Sequence, residues 1–192
     1  MVDFRKSILL LIVVAAMASV ASAQIIPPAL QCVANAGVPP IVRAEGVADQ
    51  VGDLILNCNG GVPTPAGTAV PQVNVQIFLN VNVTSRLLSD PWSEALLLID
   101  EPGAPGGLNP LLTQQLICGG PGAPLDTSFL GAGTCPTRST GNPAQTYDGT
   151  AGVLGPPYTA RPNIFQGRQV GPNSLVWLGV PFDPPGTTFN RV

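Results

Sequence analysis

Histidine is absent from all 192 residues, and the single lysine is Lys6. Without imidazole there is no Ser-His-Asp or Cys-His relay, no proton shuttle near neutral pH and no His-ligated zinc or copper. Without lysine beyond position 6, Schiff-base chemistry is excluded from the rest of the chain. Charge is scarce as well: Asp, Glu, Lys and Arg make up 10% of residues, and 8 basic against 11 acidic side chains leave a net charge of −3. The few arginines are scattered, so no basic patch forms to neutralise phosphates, and nucleic acid is not an expected partner. The apolar run from Ile8 to Ala18 is too short for the roughly 20 residues that cross a bilayer.

That run has a different use. Arg5 and Lys6 precede it, and Ala21-Ser22-Ala23 follows as a small-x-small cleavage pattern, the three-part layout of an export signal. Residues 1–23 are therefore expected to be removed, with the mature chain starting at Gln24 and keeping no stable membrane span. The expected location is secreted or cell-surface, extracellular or periplasmic. Subtracting Asp3, Arg5 and Lys6 from the totals leaves 6 Arg and 10 acidic residues, a net of −4. The remainder is long enough for one domain with a real core.

Four cysteines, Cys32, Cys58, Cys118 and Cys135, are an even count in an exported chain and read as a disulfide framework. Three pairings are formally possible. Cys32 with Cys58 and Cys118 with Cys135 is preferred, because each pair flanks a turn-rich segment able to bring its ends together. Each bridge would contribute on the order of 3 kcal/mol in the chain-entropy account. A metal or redox role is disfavoured, since no C-x-x-C spacing and no His complete a ligand set. No cofactor is expected.

Gly and Pro number 22 each, about twice average usage. They punctuate apolar, β-branched segments of low charge, which fits turn-rich β structure and not disorder. Residues 24–40, interrupted by Pro27-Pro28 and Pro39-Pro40, read as an extended arm, either an edge strand or a free segment. Short strands are expected at Ile41 to Glu45 and at Asp53 to Cys58, the latter ended by Asn59-Gly60-Gly61. Gly61 to Pro71 reads as a surface loop. Val73, Val75, Ile77, Leu79, Val81 and Val83 then alternate with polar residues through Thr84, the pattern of a strand buried on one face. Such a strand would span about 36 Å at ~3.3 Å per residue, so a bend or bulge is expected within it.

Ser93 to Asp100 is apolar without alternation and reads as a strand in preference to a short helix; a further strand is expected from Leu111 to Cys118. Asp148-Gly149 signals a hairpin between Gln145 to Tyr147 and Thr150 to Leu154. Ser174 to Val180 is the last expected strand, after which Pro181 and Pro184-Pro185-Gly186 break the pattern and leave little structure before Val192. The fold class is all-β: an immunoglobulin-like antiparallel β-sandwich over 41–192 with long Gly/Pro-rich loops, behind a cleavable signal peptide.

The block from Val38 to Cys58, followed by Asn-Gly-Gly, resembles a group of uncharacterised exported proteins from environmental Gram-negative bacteria of acidobacterial type. Asn80 to Arg86 and Ser93 to Pro102 are similar to the same group. The resemblance carries no catalytic residues with it. It implies further strands beyond the motif matched by Pro184 to Thr187, and so raises the expectation that the domain is truncated at its C-terminus.

Candidate sites are few. Asp100 and Glu101, with Asp90 and Glu94 nearby, would serve as hard oxygen ligands for Ca²⁺ or as a glycosidase acid and base; no Asp-x-Asp-x-Asp-Gly loop accompanies them, and a solvated strand end is the plainer reading. Trp92, Trp177, Tyr147 and Tyr158 would make a sugar-stacking platform if exposed together, against ordinary packing as the alternative. Asn74, Gln76, Asn80, Asn82 and Thr84 form a polar row suited to an ordered surface or to plain solvation. Asn82-Val83-Thr84 matches a glycosylation pattern, placed within the long strand and discounted on the bacterial resemblance. Gln24, Ile25, Ile26 and Leu30 form a candidate assembly arm that would donate a strand to a neighbouring subunit; packing against its own chain is the simpler alternative.

The leading functional expectation is a non-enzymatic structural or adhesive module at the cell surface or in an extracellular assembly, with self-association or another surface protein as partner. A carbohydrate- or ligand-binding module, with a glycan as partner, is the alternative, and a carboxylate-based hydrolase stands third.

Overall fold

All regular structure among the described residues is β: nine strands and no helix, in a computed structural model that describes residues 28–37, 52–89, 91–100, 115–118, 134–141, 147–153 and 156–192. The strands are β1 (Gln31–Ala36), β2 (Leu54–Gly60), β3 (Gln72–Phe78), β4 (Leu87–Ser89), β5 (Trp92–Leu98), β6 (Ile117–Cys118), β7 (Ile164–Gly171), β8 (Ser174–Pro181) and β9 (Gly186–Arg191). A three-stranded sheet runs β1-β2-β9, and a six-stranded sheet runs β3-β8-β7-β5-β4 with β6 attached to β7. Every pairing is antiparallel except β6 with β7. Two sheets packed together are consistent with the β-sandwich expected from the sequence.

The hydrophobic core lies on one face of the six-stranded sheet. Phe165, Leu175, Trp177 and Val180 come from β7 and β8, and Val75 and Ile77 from β3 pack beside them. They are covered by Leu116, Cys135, Tyr147 and Ala160, from short segments between strands, and by Cys118 of the two-residue strand β6. The Cys118–Cys135 bridge, with both ends fully buried, fastens the segment that carries Cys135 to β6. Asn163, itself buried, seats the segment ahead of β6: its Oδ1 accepts from Leu116 N at 2.9 Å and its own N–H donates to Leu116 O at 3.2 Å.

Cys32 and Cys58 are likewise bonded and stand directly opposite in the β1–β2 ladder with Cα atoms 4.0 Å apart, the close approach of a non-hydrogen-bonded pair. Both disulfides thus follow the preferred pairing. They suit an oxidising compartment. Among the described residues no helix is long and apolar enough to cross a membrane, which says nothing of barrels built from strands.

Two glycines mark where the large sheet needs them. Gly179 has φ +60° at the point where β8 slips one residue against β3, between the pairs Val73–Val180 and Val75–Trp177. Gly167, central in β7, lies under the Trp177 indole, where a Cβ would sit 3.1 Å from Nε1.

Several expectations need correction. The alternating segment does not continue as a strand to Thr84: β3 ends at Phe78, and Val81 is exposed. Its partner β8 begins only at Ser174, so beyond Phe78 the ladder has nothing to pair with. Leu79 N donates instead to Asn173 O and Val83 N to Pro172 O, which draws the chain around the β7–β8 turn. The register does shift beside this segment, but the extra residue lies in its partner β8, at Gly179, and not in β3. Residues 147–153 form no strand: Gly149 N donates to Arg161 O and Arg161 N to Thr150 O, a loop-to-loop pairing in place of a hairpin. The C-terminal stretch is not structureless, because β9 pairs with β2. β7 has no counterpart among the expected strands. Of the arm, residues 31–36 take the edge-strand alternative as β1, whereas Gln24, Ile25 and Ile26, the export signal and the expected strand at Ile41 to Glu45 lie outside the described residues.

The two disulfides should differ in weight. Their sequence separations are 26 and 17, so chain entropy favours the longer loop by only about 0.4 kcal/mol. Removing a buried sulfur from the core adds on the order of 1 kcal/mol; Cys118, Cys135 and Cys58 are buried, whereas Cys32 is exposed. The double variant Cys118→Ala/Cys135→Ala should therefore lose about 0.5 kcal/mol more in urea unfolding than Cys32→Ala/Cys58→Ala.

Candidate functional site

The interior holds more polar chemistry than the composition leads one to expect. Arg191, at the end of β9, is fully buried. Its Nη1 pairs with Asp100 Oδ2, and its guanidinium carbon lies 4.4 Å from the centroid of the Tyr147 ring. Asp100, just past β5, takes φ +50°, a conformation Asp tolerates better than most residues. It also binds the chain end twice through the backbone: Asp100 N donates to Val192 O at 2.6 Å, and Val192 N donates to Asp100 Oδ1 at 3.2 Å. A buried cation thereby gains a carboxylate, a ring face and a fixed strand.

Tyr147 extends this arrangement to the end of β8. Its hydroxyl donates to Pro181 O and accepts from Asp183 N, both at 2.6 Å. Burial pushes the phenol well above its ordinary value, with Arg191 opposing the shift. Asp183, fully buried, accepts from Thr64 N at 2.8 Å, and Ser139 Oγ lies 3.2 Å from its Oδ2. The carboxylates Asp100 and Asp183 are thus held in structural contacts with backbone and cation. Burial raises the Asp100 carboxyl above its ordinary range, and the Arg191 charge and the Val192 N–H partly offset that effect.

The structure separates the residues that the sequence grouped. Asp90 and Glu101 lie outside the described residues. Glu94 is exposed and accepts from Arg86 N at 3.1 Å. Among the described residues no group of three His, Cys, Asp or Glu could hold a metal ion. The four aromatic side chains do not share a platform: Trp177 and Tyr147 are in the core, while Trp92 and Tyr158 are half-buried, each under a different arginine. Asn74, Gln76, Asn80, Asn82 and Thr84 are all exposed, and Asn74 Oδ1 accepts from Gly179 N at 2.9 Å beside the β8 bulge. Asn82-Val83-Thr84 lies in irregular chain after β3, which corrects its placement within a strand.

Two features were missed by sequence reasoning. One is the buried Arg191; the other is Arg168, whose guanidinium stands over the Trp92 ring at 4.9 Å on the outer face of the large sheet. Arg168 and Trp92 are register partners across β7 and β5. Arginine and Trp were both visible in the chain, but 76 residues of sequence separate them, and only the strand register brings them together.

Truncating Arg191→Ala should cost about 3–5 kcal/mol, because it strands a buried carboxylate and removes the contact on Tyr147; chemical denaturation measures it. Asp100→Asn isolates the titration. With the folded carboxyl raised above its ordinary 3.8, the native state holds a proton that the unfolded chain releases. The stability of wild type relative to Asp100→Asn should therefore rise as pH falls through the folded value towards 3.8. It should be fully gained below 3.8 and lost again as pH climbs, as read from paired unfolding curves between pH 3 and pH 7.

No protein family matches the chain, and no curated protein or solved structure is similar to it.

Proposed function

We propose that this protein is an exported, non-enzymatic structural or adhesive module that acts at the cell surface or in an extracellular assembly by joining copies of itself edge to edge. The observation that carries this reading is the outer strand of the small sheet. β1 is exposed along its whole length, and no strand among the described residues pairs with its free edge. Natural edge strands are usually blunted by charge, proline or a bulge. The β1 sequence Gln-Cys-Val-Ala-Asn-Ala has neither charge nor proline, and its ladder with β2 is regular from Gln31–Asn59 to Ala36–Leu54. Val33 is 68% exposed on one face and Leu54 52% exposed on the other. The Cys32–Cys58 bridge holds this edge in shape, so little ordering entropy remains to oppose pairing.

The occupant fitted to the edge is a second copy, either through its own β1 or through the arm of Gln24, Ile25, Ile26 and Leu30 added as a donated strand. The immunoglobulin-like part of the reading rests on the adjacent antiparallel strands β5, β7 and β8 beside a second sheet. The resemblance to exported proteins of acidobacterial type would fit the same setting, and the two disulfides suit it.

Sedimentation velocity from micromolar to millimolar protein tests the reading. Wild type should populate dimers or longer species, and Val33→Lys should weaken association at least about tenfold by placing a charge beside the edge. Deleting 24–30 should weaken it only if the arm is the donated strand. A strictly monomeric wild type across that range would sink the proposal.

A further inference from the structure

We propose that the outer face of the six-stranded sheet, at Arg168 and Trp92, binds the carboxylate of an acidic polysaccharide. Among the described residues three arginines lie over aromatic rings. Arg191 lies over Tyr147 and is neutralised by Asp100. Arg138 lies over Tyr158 at 5.9 Å and donates to Gly67 O at 2.6 Å. Arg168 lies over Trp92 with neither: among the described residues no carboxylate or carbonyl accepts from it, and its Nε is buried without a partner. Arg161, also half-buried and without a carboxylate, donates to Thr137 Oγ1 and Tyr158 O, so the Arg168 guanidinium differs in having no oxygen acceptor at all among the described residues.

A ring contact of this kind orients a guanidinium without spending its N–H groups, which lie in the guanidinium plane. The result is a fork held ready for a planar, two-oxygen acceptor. Register places the fork in a row. Gln76, Val176, Arg168 and Trp92 are successive partners across β3, β8, β7 and β5, so they share one face. That face is the one turned from the core, since Val75, Ile77, Leu175 and Trp177 point the other way. From Trp92 to Gln76 the row spans about 14 Å at ~4.8 Å per strand; Val176 between them is 7% exposed, so the two ends of the row, and not its middle, offer contacts to an extended ligand. Gln76 is exposed and offers an amide for a hydroxyl.

The site lies on a sheet face and not at an edge, so a peptide cannot recruit backbone pairing there. A polymer read by side chains alone, with a carboxylate for Arg168 and hydroxyls for Gln76, fits better. This deepens the adhesive reading by naming a ligand. It is tested by ligand binding, whereas self-association is tested by mass, so either can fail alone.

Tryptophan emission provides the measurement, because Trp177 is 5% exposed in the core and Trp92 is the only other Trp. Oligogalacturonate should give a saturable change in emission, while its fully methyl-esterified form, acetate, sulfate and polyglutamate should not at equal concentration. Calorimetry should show Arg168→Gln weakening binding at least about tenfold. Arg168→Lys, which keeps charge and stem, should fail to restore it. Gln76→Ala, at an exposed position, should weaken the oligomer severalfold and leave monomeric galacturonate unchanged. No saturable response, equal affinity in Arg168→Gln or Arg168→Lys, or an equal response to the ester, polyglutamate or a simple anion would overturn the assignment.

Discussion

A six-stranded sheet with one apolar face must cover that face, and here the cover is largely irregular chain. Backbone outside strands has no ladder to satisfy its N–H and C=O groups, so burying it calls for substitutes. The Cys118–Cys135 bridge supplies a covalent one and Asn163 a hydrogen-bonded one. Thr137 adds a third: its Oγ1 donates to Ala160 O at 3.1 Å and accepts from Arg161 Nη1 at 2.8 Å. The small sheet shares this task only through β9, whose buried Arg191 lies over Tyr147, since β1 and most of β2 are exposed. Two consequences follow. The core depends on a few cross-links, and the small sheet keeps most of its surface free.

What ties the small sheet to the large one is polar. β9 has only two register partners in β2, Cys58–Arg191 and Gly60–Gly186, with an irregularity between them. So short a ladder holds a terminal strand weakly. Arg191 compensates by running into the interior to Asp100 and Tyr147, and Tyr147 in turn holds Pro181 and Asp183 where the chain leaves β8. A buried ion pair of this kind gives little net stability, because desolvation consumes most of the Coulomb gain. What it gives is position: the ends of β5, β8 and β9 meet at one set of atoms.

The same chemistry explains what the sequence showed and what it concealed. β5 and β8 carry continuous apolar runs, and Asp53 to Cys58 alternates, so their strands were legible, although Leu54, on the same face as Cys58, is 52% exposed. Val73 to Thr84 alternates just as well, yet the strand stops at Phe78, because a strand's length is set by its partner's as much as by its own pattern. β7 was hidden by Gln166, Gly167 and Arg168 in its middle. Each has a tertiary reason: Gln166 Nε2 donates to Ser93 O, Gly167 admits the Trp177 ring, and Arg168 meets Trp92. β9 was hidden by the burial of an arginine, the residue a hydrophobic pattern places outside. Local cysteine pairing was legible because loop closure depends on short separations. The clusters around Arg191 and Arg168 were not, because their members are distant in sequence.

Charge placement then gives the exposed surfaces different roles. β1 and β2 contain no charged residue, and Arg191, the one charge in β9, is buried. The small sheet therefore meets solvent without a charge of its own. Asp53 stands at its margin, exposed and with its carbonyl accepting from Gly37 N; at physiological salt the repulsion from more distant acids is largely screened beyond about 8 Å. Two copies approaching through β1 would feel the excess negative charge only weakly, whereas approach through the acid-bearing remainder would be opposed. The large sheet's outer face is the opposite case. There an acidic ligand meets an overall negative protein and must be attracted locally, by Arg168 at short range. Contact through the small sheet should strengthen as salt screens the net charge, while contact through Arg168 should weaken, because salt screens the one attraction it has. Salt thus separates the two surfaces by sign, which neither the fold nor the composition alone would do.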